Sequence, residues 1–289
     1  MKIVITGGAG FLGYYIANEA IKKKHTVTVI DKNIVNKNKN IHYIKSDFGN
    51  KKALSKIIKK DDVIFHLAAI SDINDANKSG ITTVKENILK TVQLLEVCKN
   101  KKIKKFIFAS SIYVHSVLGG LYRVSKKSSE LFVEEYAKKN KFNFIILRFG
   151  SVYGAKQSIK NNISNIVYHA IKKNKLIYSG NKKSSRSFVH VKDVAAACIN
   201  LLSKKYDNKI VLISGNEVKS ITSIMNIIRK KLSINSKLNF QNKKDNHYIN
   251  NPYSYEEPKE TVYKFNNPID ITSGINDVIS HLLKKIKKK

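Results

Sequence analysis

The apolar residues of this 289-residue chain follow two alternating rhythms. Runs of β-branched and aromatic residues at 2–6, 26–30, 41–45, 62–67, 105–109 and 143–148 predict strands. Between them, apolar residues recur every three or four positions and predict helices at 11–23, 50–59, 78–99 and 121–139. The runs Val63-Ile64-Phe65, Phe106-Ile107-Phe108 and Phe144-Ile145-Ile146-Leu147 are apolar at successive positions, as inner strands of a parallel sheet are. Strands alternating with helices imply right-handed crossovers and an α/β fold with a doubly wound parallel sheet.

Beyond residue 150 the rhythm loosens. Polar loops run from Lys156 to Asn165 and from Asn242 to Asn251, and Pro252, Pro258 and Pro268 all fall late. This predicts a smaller C-terminal lobe that closes over a ligand. The strand Ser187–Val191 and the helix Asp193–Leu202 are expected to return to the main sheet, with Asp193 as the helix cap. The first domain is then 1–150 plus about 187–212, and the discontinuous lobe is 151–186 and 213–289.

Hydrophobic content of 42% fits a soluble globular protein, and no apolar run reaches the roughly 20 residues of a membrane span. The N-terminus has no signal-peptide layout, because its first apolar run leads into a glycine turn. Cys98 and Cys198 lie in apolar helical patterns and read as buried thiols, without disulfide or metal role, in a reducing, cytoplasmic setting. The net charge of +33 comes from 50 Lys among 54 basic residues, with only four Arg. The lysines are scattered over nearly every predicted element, which argues for compositional bias and against specific nucleic-acid binding. Such a charge still attracts polyanions at low salt, and equally a substrate carrying a diphosphate.

The segment Thr6-Gly7-Gly8-Ala9-Gly10-Phe11-Leu12-Gly13 joins the first strand to the first helix. Glycines there let the backbone approach a diphosphate, and the helix start offers free N–H groups and a positive dipole end. Asp31 ends the second strand, 18 residues after Gly13. A carboxylate at that place accepts the hydroxyls of an adenosine ribose and repels a 2′-phosphate, which favours NAD; the adjacent Lys32 leaves NADP open.

Ser110-Ser111 follow the strand 105–109, and Tyr122 and Lys126 share one face of the next helix. Four Tyr-x-x-x-Lys spacings occur, at Tyr122, Tyr168, Tyr178 and Tyr255, so position rather than spacing selects Tyr122. The set suits alcohol–ketone interconversion. A tyrosinate takes the hydroxyl proton as hydride leaves carbon, a neighbouring cation makes that anion accessible, and a serine orients the substrate oxygen.

With these residues the chain resembles the extended short-chain dehydrogenase/reductases of the NAD-dependent epimerase/dehydratase family, whose fold is Rossmann-type. The matching elements are TGGAGFLG (6–13), Asp31, Asp47-Phe48, HLAA (66–69), Asn87, SS (110–111), YRVSK (122–126), RFGSVYG (148–154) and RSFVHVKDVAAA (186–197). The resemblance implies NAD bound by Gly7, Gly10, Phe11, Leu12, Gly13, Asp31, Asp47, Phe48, Leu67, Ala68, Ala69 and Asn87, together with Tyr122 and Lys126. Asp47 and the Phe48 backbone would meet the adenine, and Lys126 the nicotinamide ribose. It implies catalysis by Ser111, Tyr122 and Lys126, and substrate contacts from Ser71, Ser111 and Arg186, the last gripping a phosphate. His66 and His190 read as structural, and Asn87 as a helix-packing polar group. The helices 78–99 and 121–139 would form a homodimer contact.

The departures shape the expected activity. Ile112 and Tyr113 stand where the family's 4,6-dehydratases carry an acidic pair, which disfavours dehydration. His115-Ser116 replace the usual Tyr-Gly, and the short 111–122 segment carries Gly119-Gly120, implying a more open pocket wall. No arginine follows Arg229, so the second phosphate-binding arginine of many relatives is missing; either Lys243, Lys244 or His247 substitutes, or the substrate differs. The expected function is NAD-dependent oxidation and reduction of a sugar hydroxyl, at C4, on a nucleotide sugar of polysaccharide biosynthesis. Epimerisation leads; a 4-dehydrogenase or 4-ketoreductase, a dehydrogenase of free alcohols, and a non-catalytic NAD-sensing or RNA-associated protein are the alternatives.

Overall fold

Apolar runs become strands, all but the third inside the sheet. β1 (Lys2–Thr6), β2 (Thr26–Asp31), β3 (His42–Lys45), β4 (Val63–His66), β5 (Lys105–Ser111) and β6 (Asn143–Phe149) match the predicted strands to within two residues. The computed structural model describes residues 1–35, 37–116, 118–242 and 260–287. The chain divides into two units, the first built from Met1–Phe149 and Ala195–Ile213 with the strand Thr261–Val262.

In the first unit an eight-stranded sheet runs in the order β3-β2-β1-β4-β5-β6, then Lys209–Ile213 and Thr261–Val262. All neighbours are parallel, with Ile5 facing Val29 on one side and Phe65 on the other. The winding reverses between β1 and β4, so the carboxyl ends of these strands form the switch point where such sheets bind ligands. The helices are α1 (Phe11–Lys22), α2 (Lys51–Ile57), α3 (Ile73–Asn77), α4 (Gly80–Thr83), α5 (Lys90–Lys101) and α6 (Gly120–Asn140). One face of the sheet packs Val4, Ile30, Ile64, Phe106 and Ile146 against Leu94, Leu95 and Val133.

The second unit comprises Gly150–Val194, the described residues from Ser214, and the chain from Lys264. Helices Asn162–Lys173, Ile221–Lys231 and Ile271–Lys287 each bury residues at i, i+3, i+4 and i+7: Ile163, Ile166, Val167 and Ala170; Ile221, Ile224, Met225 and Ile228; Ile275, Val278, Ile279 and Leu282. That spacing gives each helix one apolar stripe, and the stripes form the core of this unit.

Two sequence expectations are corrected. Ser185–His190 does not return to the main sheet; it pairs with Ser151–Tyr153 and Val218–Ser220 in a small sheet. The place beside β6 goes to Lys209–Ile213, whose successive Val211, Leu212 and Ile213 are all buried, as an inner strand requires. The following helix starts at Val191, so Asp193 lies inside its first turn, and its carboxylate accepts from the Ile269 amide at 2.9 Å instead of capping.

The expected helix 78–99 is broken, with a π-helical stretch over Val84–Leu89 between α4 and α5. Asn87 lies within this stretch. Its side chain accepts from the Ile70 amide at 2.8 Å and donates to the Ile70 carbonyl at 3.1 Å and the Ser125 hydroxyl at 3.0 Å. Its carbonyl accepts from the hydroxyls of Thr91 and Ser129. A widened turn frees that carbonyl for the side chains, and such turns concentrate at functional sites. Replacing Asn87 by Leu strands these buried groups. The expected cost is about 2–4 kcal/mol, read by denaturant unfolding, with faster hydrogen exchange at the Ile70 amide.

Candidate active site

The glycine turn is shaped by contacts that exclude side chains. Gly7 adopts φ +72°, and a Cβ there would lie 2.7 Å from the Ala68 nitrogen. A Cβ on Gly13 would lie 2.5 Å from the Gly7 carbonyl oxygen. Gly10 starts α1 without a side-chain cap, and the first turn carries no acid, so the helix's amides and dipole face outward unopposed. Phe11 turns its ring edge-on to Tyr15, which leaves the backbone of Phe11 and Leu12 as the ligand-facing part. These features fit a dinucleotide diphosphate.

Asp31, at the end of β2, accepts from the Ala9 amide at 3.1 Å and the Asn33 amide at 3.1 Å, which anchors its carboxylate beside the turn. The neighbouring Lys32 is drawn elsewhere, to Asp47 at 3.0 Å and Glu86 at 3.1 Å. Lys90 completes a quartet with the same two acids. Burial opposes the ionisation of Asp47, yet the bonds from Lys90, the Gly49 amide and Lys32 outweigh it and bring its carboxyl down to about 2. Those donors leave one acceptor position on Oδ1. The Phe48 ring turns into the core against His66, so its backbone is what an adenine would meet.

The loop after β4 closes over Gly7. Leu67 donates its amide to the Thr6 carbonyl at 3.0 Å, and Ala68 and Ala69 follow, half-buried. Asn87 clamps Ile70 and leaves the next residue, Ser71, exposed. Asn87 therefore shapes this loop, its amide already committed to protein partners. His66, buried beneath, is pushed down to about 3 by burial and by the charge of Lys126, and is neutral. Because Thr91 donates to the Asn87 carbonyl, it accepts from His66 Nε2, and Thr6 donates to Nδ1. The histidine is structural, as the sequence suggested.

Tyr122 lies in the first turn of α6, whose start has no cap of its own; Asn77 supplies one by accepting from the Leu121 amide at 2.8 Å. The Tyr122 phenol is buried, with the Ser111 hydroxyl beside it. Burial pushes it up to about 12, only partly offset by the nearby Ser111 hydroxyl. Lys126, one turn on, donates to the Ala109 carbonyl at 2.8 Å and lies 5.0 Å from the Phe108 ring centroid and 6.0 Å from that of Tyr122. Burial brings its ammonium down to about 8, against the opposing charge of Glu130. The two adjacent serines divide their duties: Ser111 meets Tyr122, while Ser110 donates to Glu130 at 2.5 Å. Ile112 and Tyr113 are buried and offer no carboxyl.

The first unit thus carries the glycine turn, Asp31, Asp47, the 67–71 loop and the Ser111–Tyr122–Lys126 group. Arg186 lies in the second unit; it is buried rather than on the surface, and it donates to the Ser185 carbonyl at 2.7 Å. His190 is buried in the same unit and brought down to about 4 by burial. Tyr168 and Tyr178, which share the Tyr-x-x-x-Lys spacing, also belong there. Lys243, Lys244, His247 and Tyr255 lie outside the described residues. The sequence did not single out Glu130, Glu86 or Glu260. Glu130 had a readable signal, since Tyr122, Lys126 and Glu130 are spaced four apart along one helix face.

A model of the NAD-dependent epimerase/dehydratase family matches residues 3–214. The dTDP-D-glucose 4,6-dehydratase of Dictyostelium discoideum is 31% identical over 241 residues, 70% of this chain; the chain spans 56% of that enzyme's length. The UDP-N-acetyl-alpha-D-glucosaminuronate decarboxylase of Bacillus cytotoxicus is 27% identical over 265 residues, 82% of either chain. Among solved structures, the UDP-glucuronic acid 4-epimerase from Bacillus cereus, in complex with UDP-glucuronic acid and NAD, is 25% identical. It superposes with a TM-score of 0.84 over 99% of this chain and 100% of its own.

The buried ammonium has a stability consequence. Lys126 binds its proton less tightly when folded than in the unfolded chain. It therefore destabilises the fold fully below about pH 8, and the penalty fades as pH rises toward its unfolded value of 10.5. Lys126→Met is expected to raise stability at pH 7 by about 1–3 kcal/mol. Thermal melts of both proteins across pH 7–10 check this, with the gap narrowing toward the alkaline end.

Proposed function

The chain belongs to the NAD-dependent epimerase/dehydratase family, and we propose that it uses NAD to oxidise and re-reduce the C4 hydroxyl of a nucleotide sugar, with net epimerisation. The observation that carries this is the buried Tyr122 phenol with Ser111 beside it and Lys126 buried one helical turn away, in the unit that holds the glycine turn and Asp31. The solved Bacillus cereus 4-epimerase, holding UDP-glucuronic acid and NAD, supports the cofactor and the substrate class.

Bound NAD supplies the hydride acceptor and a positive ring. Ser111 would hold the sugar hydroxyl, and Tyr122 Oη would take its proton as the C4 hydride departs, leaving a ketone. At about 12 the phenol keeps its proton at neutral pH, so its anion needs nearby positive charge; Lys126 and the cofactor ring both act in that direction. Return of hydride to the opposite face, with the proton from Tyr122, gives the epimer. Ile112 and Tyr113 bring no acid for a second proton transfer, which favours epimerisation over dehydration or decarboxylation. Asp31 beside the glycine turn, with Lys32 held by Asp47 and Glu86, favours NAD over NADP. Arg186, with its planar fork, is proposed to grip a substrate phosphate, and Ser71 to touch the sugar.

Among the described residues no helix is long and apolar enough to cross a membrane, and Cys98 and Cys198 are unpaired and buried. Both observations support a cytoplasmic enzyme. Ile81 and Val84 in one helical segment, and Leu121, Val124, Leu131 and Phe132 on α6, are exposed apolar residues of the first unit. They support a homodimer through these helices.

Incubation with a panel of nucleotide sugars and NAD, followed by sugar NMR, should show the 4-epimer without net accumulation of reduced nicotinamide. Net NADH would select the dehydrogenase instead, and turnover of free alcohols alone would remove the nucleotide-sugar assignment. Tyr122→Phe is expected to lower turnover by about 10³-fold while NAD affinity stays within a few-fold; undiminished turnover would refute the assignment of the base. Sedimentation at micromolar concentration should give about twice the 32.8 kDa chain mass, and Val124→Glu with Phe132→Glu should return it to monomer.

A further inference from the structure

Behind Ser111 lies a buried ionic cluster that the proposed chemistry leaves unused. Glu130, 1% exposed, stands one helical turn beyond Lys126 and two beyond Tyr122. Its Oε1 accepts from the Ser110 hydroxyl at 2.5 Å and from Arg148 Nε at 2.8 Å, and its Oε2 from Arg148 Nη2 at 2.5 Å. Arg148 is the register partner of Ser110 across β5 and β6. Its remaining Nη1 meets Glu260 and, at 2.9 Å, His115 Nε2. One carboxylate thus ties α6 to both strand ends at the level where Ser111 leaves the sheet.

The same carboxylate faces the buried lysine electrostatically. Around Lys126 stand the Ala109 carbonyl and Phe108 ring from β5, neutral His66 from β4, and Tyr122 and Glu130 from its own helix. Around Glu130 stand Ser110, Arg148 and, on its own helix, Lys127 at 3.6 Å and Glu134. Among these, the negative charge opposing the desolvation of Lys126 is that of Glu130. In a low-dielectric interior such a charge acts over one helical turn with little screening.

We propose that Glu130 is a positioning residue for the Ser111–Tyr122–Lys126 group: its hydrogen bonds to Ser110 and Arg148 fix the strand end that carries Ser111, and its charge acts on the Lys126 ammonium one helical turn away. A merely structural ion pair predicts a different outcome, since breaking it would cost stability and leave the titration of Lys126 alone. The inference rests on reading Lys126 as the ammonium of an active site, and its test separates the two.

The test compares Glu130→Gln, a neutral isostere, with Ser110→Ala, which breaks one hydrogen bond and keeps the charge. In Glu130→Gln the alkaline limb of the kcat profile should move about one pH unit lower, roughly a tenfold loss of kcat above the new limb. Ser110→Ala should lower kcat and leave the limb in place. A second readout needs no turnover: the pH dependence of Lys126 modification by an amine-reactive probe, followed by peptide mass spectrometry, titrates the same amine directly. It should move in parallel. If the wild-type protein turns over no nucleotide sugar, the proposed function fails and the labelling titration still decides this inference. Should Glu130→Gln not fold, Glu130→Gln with Arg148→Met removes both charges together and is titrated the same way. A Lys126 titration identical to wild type in either variant overturns the proposal.

Discussion

Lys126 lies buried against the Phe108 ring with its ammonium on the Ala109 carbonyl, one turn along α6 from a phenol that is itself out of water. Burial penalises both charged forms: it lowers the lysine and raises the tyrosine, so the pair is held at neutral pH as ammonium and phenol. The cost is chemical leverage in store. In a medium of low dielectric a positive charge stabilises a nearby anion far more than it could in water. Much of the surrounding architecture is explained by the need to hold these two groups and Ser111 still. Asn77 caps the start of α6, and the Glu130–Arg148 pair joins that helix to β5 and β6.

A second set of polar contacts runs from the glycine turn through the interior. Thr6, His66, Thr91 and Asn87 form a continuous hydrogen-bonded chain, and Asn87 passes it on to Ile70 and Ser125. Every member is neutral, so the chain can be buried without a counter-ion. Around Asp47 the solution is different. Lys32, Lys90, Asp47 and Glu86 compensate one another at a partly exposed site, where ionised groups are tolerable. The consequence for recognition is direct: Asp31 is left beside the glycine turn while the adjacent ammonium is occupied elsewhere.

Much of this was readable in the chain itself. Six of the eight strands of the first unit follow from apolar runs, because burial on both faces of an inner parallel strand leaves no room for alternation. Gly7 and Gly13 were legible because only a residue without Cβ survives such contacts with Ala68 and with the turn's own backbone. The Tyr122–Lys126 spacing was legible because helical geometry fixes it. Misassignment came where pairing depends on distant partners. Ser185–His190 looked like a returning strand, yet Lys209–Ile213 outcompeted it for the edge of β6. The break in the helix at Asn87 had no local signal either, since its partners Ile70, Ser125 and Ser129 are 17, 38 and 42 residues away.

By itself, then, the sequence determined the periodic elements, the glycine turn, the acid at the end of β2 and the spacing of the reactive trio, all set by local geometry or by burial of a face. Only tertiary structure decided where the lysine beside Asp31 is held and which carboxylate answers the buried ammonium. Those outcomes depend on groups brought together from distant positions, Asp47 and Glu86 at Lys32 and Ser110, Arg148 and Glu260 around Glu130, and no one-dimensional pattern encodes which groups will find one another in the folded chain.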